Sequence, residues 1–95
     1  MDDYPTDEQL KEIECWPHKD FIGLAEFVVS IWNYGHPWAT LKGKKVKTLR
    51  LATGGWSGNE NIIDALGKNL LFWSVCWQKS SKGGAYVFKI KSLTK

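Results

Sequence analysis

Val46-Lys47-Thr48-Leu49-Arg50-Leu51-Ala52-Thr53-Gly54-Gly55-Trp56-Ser57-Gly58-Asn59-Glu60 reads as a strand passed into a helix through a glycine loop. Leu49 and Leu51 share one face of the strand, and Lys47, of the same parity, lies at its edge. Ser57 and Glu60 have the spacing of a capping box, which predicts a helix from about Gly58 to Gly67 with Ile62, Ile63 and Leu66 turned inward. Glycines accept positive φ and let other groups approach the backbone, and the first N–H groups of a helix attract anions. The loop therefore has two readings. It is a tight turn with Ser57 as the helix cap, or the N–H groups of Ser57, Gly58 and Asn59 form an anion nest. In the second reading Thr53 to Asn59 hold phosphate, Trp56 stacks on a ring, and Arg50 or Lys47 supplies charge. No lysine follows the last glycine, so the loop is not a Walker motif, and the βαβ context of a dinucleotide fingerprint is missing.

Upstream, Thr6 and Gln9 mark the start of a first helix that runs to about Cys15 and stops before Pro17. A second helix is expected after Asp20, ending near Asn33 with Gly35 as its stop. Apolar residues from Phe21 to Trp32 cover most of its circumference and leave one polar stripe, Gly23, Glu26, Ser30 and Asn33. Such a helix is expected to pack on the sheet and to meet a second copy in a homo-oligomer, the alternative being full cover by its own chain. His36-Pro37-Trp38 opens an irregular connection that passes through Gly43.

Downstream, Leu70 to Lys79 reads as a strand apolar on both faces and so as the central one. Ser80 to Gly84 is a hairpin connection, and Tyr86, Phe88 and Ile90 alternate with Val87, Lys89 and Lys91 in the last strand. Pairing across that turn brings Trp77 near Tyr86 as a stacking platform, with Trp73 deeper and in the core. The order α-α-β-α-β-β gives an α+β fold, a small antiparallel-dominated sheet with helices on one face. Residues 1–95 are expected to form a single domain, with residues 1–5 flexible.

Hydrophobic content of 43% and charged content of 24% are ordinary for a globular chain, but six tryptophans in 95 residues are not. The net charge of +3 conceals an asymmetry, −5 over residues 1–20 and +8 over residues 21–95. Cys15 and Cys76 have no metal-type spacing and suit a reduced, cytoplasmic setting, and no apolar run is long enough to span a bilayer. His18 and His36 lack ligand-spaced partners, so no cofactor, metal or enzymatic activity is expected. The lysine-rich stretch 42–50 has no interleaved aromatics. It reads as an edge-protecting row, with nucleic acid an unlikely partner.

Leu49 to Glu60, Phe72-Trp73-Ser74-Val75-Cys76-Trp77 and Gly83-Gly84-Ala85-Tyr86-Val87-Phe88 together resemble a family of small uncharacterised phage and prophage proteins, over residues 46–90 in the same order. The resemblance implies a viral setting in the host bacterial cytosol and transfers no activity. In that setting the sequence is expected to encode an oligomeric protein that sequesters an anionic, nucleotide-like host-defence signal without catalysis. The expected ligand-binding residues are Lys47, Arg50, Thr53, Gly54, Gly55, Trp56, Ser57, Gly58, Asn59, Trp77 and Tyr86. The alternative is a protein–protein inhibitor of a bacterial defence complex, comparable to anti-CRISPR proteins, with acidic residues 1–20 or exposed tryptophans as its contact surface.

Overall fold

The computed structural model describes residues 5–32, 38–54, 57–81 and 84–91. The elements are α1 (Asp7–Cys15), a 3₁₀ turn (His18–Asp20), α2 (Phe21–Ile31), β1 (Ala39–Gly43), β2 (Val46–Ala52), α3 (Ser57–Lys68), α4 (Leu70–Cys76), β3 (Trp77–Ser81) and β4 (Ala85–Lys91). All strand pairings are antiparallel, in the order β1-β2-β4-β3. The fold is α+β, with the helices on one face of the sheet.

The helix starts follow the local chemistry. Thr6 Oγ1 accepts from Gln9 N at 3.0 Å and Gln9 Oε1 accepts from Thr6 N at 2.9 Å, a complete capping box at α1. Asp20 caps α2 by accepting from Gly23 N at 3.1 Å. The second helix packs against β1 and β4. Phe21, Leu24, Ala25 and Val28 are buried, and Ile22, Phe27, Val29 and Ile31 are half-buried against the same core. Its wide apolar arc is thus largely taken up by its own chain, leaving Glu26 and Ser30 exposed. The expected end of this helix, Asn33 and Gly35, lies outside the described residues.

Two expectations about the sheet are corrected. Residues 70–76 form a helix, and only Trp77 to Ser81 continue as a strand. The buried residues Phe72 and Cys76 are four apart, the repeat of one helical face, whereas Leu70 and Val75 are 75% and 63% exposed. Asn69 fixes this choice. Its side-chain oxygen accepts from Phe72 N at 3.3 Å and caps α4, while its Nδ2 donates to the carbonyls of Ile13 and Trp16 at the end of α1. Phe72 then meets Phe21 edge-on at 5.2 Å and Phe88 at 5.1 Å. β3 is therefore an edge strand, and β2 and β4 are central. The stretch from Ala39 to Gly43 is not an irregular connection but β1, paired from Ala39↔Leu51 to Gly43↔Lys47, with Gly43 at φ 120° leading into the turn.

The core lies under one face of the sheet. Ala39, Leu49, Leu51, Phe88 and Ile90 are buried and share one parity through the register Leu49↔Phe88 and Ala39↔Leu51. No described residue of the opposite parity in β1, β2 or β4 is buried. Among the described residues that second face is open.

Candidate functional site

At the end of β2 the glycine loop is fastened from several sides. Thr53 N donates to Gly84 O at 3.0 Å, extending the β2–β4 ladder by one residue. Ala52 N donates to Trp38 O at 2.8 Å, and the buried Trp32 indole N–H donates to Ala52 O at 3.0 Å. Gly84 (φ 85°) needs its glycine, because a Cβ there would strike Thr53 Oγ1. Asn59 is fully buried in the first turn of α3, and its Nδ2 donates to Thr53 O at 3.4 Å. Thr53 and Asn59 therefore close the loop onto the helix. Gly58 is buried as well, leaving Ser57 exposed. Gly55 and Trp56 lie outside the described residues.

The remaining sequence-expected residues divide between the two faces of the sheet. Lys47 has the parity of the core face and its Nζ donates to Gly43 O at 3.2 Å, whereas Arg50 projects from the open face. Trp77 pairs with Phe88, not Tyr86, because the hairpin closes at Ser81↔Ala85 and sets Ser80 opposite Tyr86; a register shift between Trp77 and Lys79 brings Trp77 to Phe88. Its indole N–H donates to Ser80 Oγ at 2.9 Å, along its own strand. The Tyr86 ring meets Trp73 edge-on at 6.1 Å, and Trp73 also packs on Phe88. The expected Trp77–Tyr86 platform is replaced by a Trp73–Tyr86 pair, and the sheet separates it from Arg50.

A different aromatic stands beside Arg50. Trp38 precedes β1 with the parity of Thr40, and its ring lies 3.4 Å from where a Cβ on Gly54 would sit. It is 42% exposed. One step along the open face from the Trp38–Ala52 pair comes the row Thr40–Arg50–Val87–Lys79, then Lys42–Thr48–Lys89, then Val46–Lys91 beside the Lys44–Lys45 turn. Lys42, Arg50, Lys79, Lys89 and Lys91 are exposed, and Thr40, Thr48 and Val87 between them are half-buried.

No family model, curated protein or solved structure matches this chain.

Charge is segregated by layer. All described acids lie on the helices and the 3₁₀ turn: Asp7, Glu8, Glu12 and Glu14 on α1, Asp20, Glu26 on α2, and Glu60 and Asp64 on α3. Against these eight stand Lys11, Lys19 and Lys68, a balance of −5, and Lys68 reaches Glu14 at 3.9 Å. The strands and the β1–β2 turn carry eight cations and no acid. Such a layer creates a positive potential of one sign across its whole open face.

Sequence reasoning missed Trp38, Lys79, Lys89 and Lys91. The shared parity of Lys89 and Lys91 was visible, but joining them to Lys42 and Arg50 required the strand order. Among the described residues no group of three His, Cys, Asp or Glu is placed to hold a metal ion. Burial pushes the Cys76 thiol up to about 11, which keeps it protonated and unreactive at neutral pH. No described helix is long and apolar enough to cross a membrane.

Proposed function

We propose that this chain is a non-catalytic binding protein for an anionic, nucleotide-like ligand, held on the open face of the sheet. The observation that carries the reading is the acid-free row of cations beginning one step from an exposed tryptophan. Trp38 offers a ring for a base, and Arg50 and Lys79 flank Val87 where a phosphate would lie. Arg50 keeps the charge-supplying role expected from the sequence. Stacking passes from Trp56 and Trp77 to Trp38, with Gly54 beside its ring and Thr53 and Asn59 closing the loop that carries Gly54. If residues 46–90 belong with the phage proteins they resemble, the binding would serve in a host bacterial cytosol, where sequestering a defence signal needs affinity and no turnover.

Thermal unfolding with a panel of mono-, di- and cyclic nucleotides tests this. Ligand at a hundred times its dissociation constant adds about 2.7 kcal/mol of stability. Trp38→Ala and Arg50→Gln are expected to remove the shift, and Trp77→Ala to leave it. A shift indifferent to both Trp38 and Arg50 refutes the site.

A second reading, contact with a host protein or with a second copy, is favoured by the exposed apolar residues Leu70, Leu71 and Val75 on α4. Any self-association is proposed to run through α4 rather than through α2, whose apolar residues are already engaged.

A further inference from the structure

We infer that the ligand of the open face is a short single strand of nucleic acid, its terminal base on Trp38 and its backbone running down the strands away from that ring. The inference rests on the reading above and names the polymer that reading leaves open. A mononucleotide would use one row of cations, Arg50 and Lys79. The sheet presents further rows in the same direction, Lys42 with Lys89 and then Lys91. Alternate residues of an antiparallel strand are about 6.8 Å apart, and next-but-one strands about 10 Å apart. Cations therefore recur along the sheet at a step close to that of successive phosphates in an extended strand, flanking Val87 in the first row and Thr48 in the second.

The chemistry of the face limits what else it takes. Among the described residues it carries no acid to select a basic or zwitterionic partner. Nor, among the described residues, does it carry an aromatic beyond Trp38, so it tracks the backbone and is blind to base sequence. The lysine stretch 42–50 reads alone as a protected edge. The pairing of β4 with β2, and of β3 with β4, supplies the other side of the track.

The test is fluorescence anisotropy with thymidine oligonucleotides of one, two, four and six residues, and with a blunt duplex, across a salt series. Affinity is expected to climb with length through about four nucleotides. Three phosphate contacts, one per row, give a log–log salt slope of about −2, roughly a twentyfold loss between 50 and 200 mM salt. Replacing Lys42, Lys89 and Lys91 together by Gln removes two of the three rows and is expected to reduce the magnitude of that slope by about 1.4. Mononucleotide binding and the melting temperature should be unchanged, because all three side chains are exposed. A hexamer that binds no tighter than the mononucleotide, or a slope that the triple variant does not change, overturns the inference and leaves the nucleotide reading standing. Tighter binding of the duplex overturns the single-strand assignment. Absence of binding by every probe refutes both.

Discussion

Asn69 joins three parts of the chain with one side chain, closing the end of α1 through Ile13 O at 2.9 Å and opening α4 through Phe72 N. Asn69→Ala removes the cap and leaves buried carbonyls without their donor, which is expected to cost about 2–3 kcal/mol in urea denaturation. The glycines give an opposed pair of outcomes. Gly84→Ala forces a Cβ into Thr53 at positive φ and is expected to destabilise by more than about 1 kcal/mol. Gly67→Ala meets only the Trp73 ring at 4.0 Å, inside α3, and is expected to stabilise by about 0.5–1 kcal/mol. Cys76 gives a pH signature. Its thiol pKa is raised by burial from 9.0 to about 11, so the unfolded chain loses its proton first. Stability is expected to fall as pH rises between those values, and to fall less in Cys76→Val, which removes the thiol.

At the scale of elements, α1, α2, α3, β2 and β4 were legible because each has both a boundary signal and a period. Thr6 with Gln9, Asp20 before an apolar run, and the alternation of Tyr86, Phe88 and Ile90 are such signals. Residues 70–76 were not legible, because an all-apolar run satisfies the strand and helix periods together. Asn69 was the available cue, and its effect depends on meeting α1, a contact 56 residues away in the chain. β1 was hidden for a related reason. Ala39 to Gly43 has few strand-favouring residues and forms because β2 is there to pair with it. Substitution along α4 tests the helix directly. Phe72→Ala is expected to cost about 3–5 kcal/mol, and Val75→Ser to stay within about 0.5 kcal/mol, since Phe72 is buried and Val75 is exposed.

Across the described residues the acids all lie in the helical layer and eight of the eleven cations in the sheet and its β1–β2 turn, and a net charge of +3 hides the separation. The glycine loop was legible as a special backbone position, and Arg50 as its nearby charge. The face was not legible, because Lys79 and Lys89 become neighbours of Arg50 and Lys42 only through the order β1-β2-β4-β3. Position of charge, not amount, is what the proposal requires. Arg50→Glu with Lys79→Glu is expected to abolish oligonucleotide binding in anisotropy, whereas Lys11→Glu with Lys19→Glu changes net charge equally and should weaken it only slightly. The most direct measurement is an amide and indole NMR titration with a thymidine hexamer. Shifts confined to the Trp38 indole and to residues around Thr40, Lys42, Thr48, Arg50, Val87 and Lys89 are the expected result. Shifts centred on α1 or on Leu70, Leu71 and Val75 of α4, with the open face silent, would contradict it.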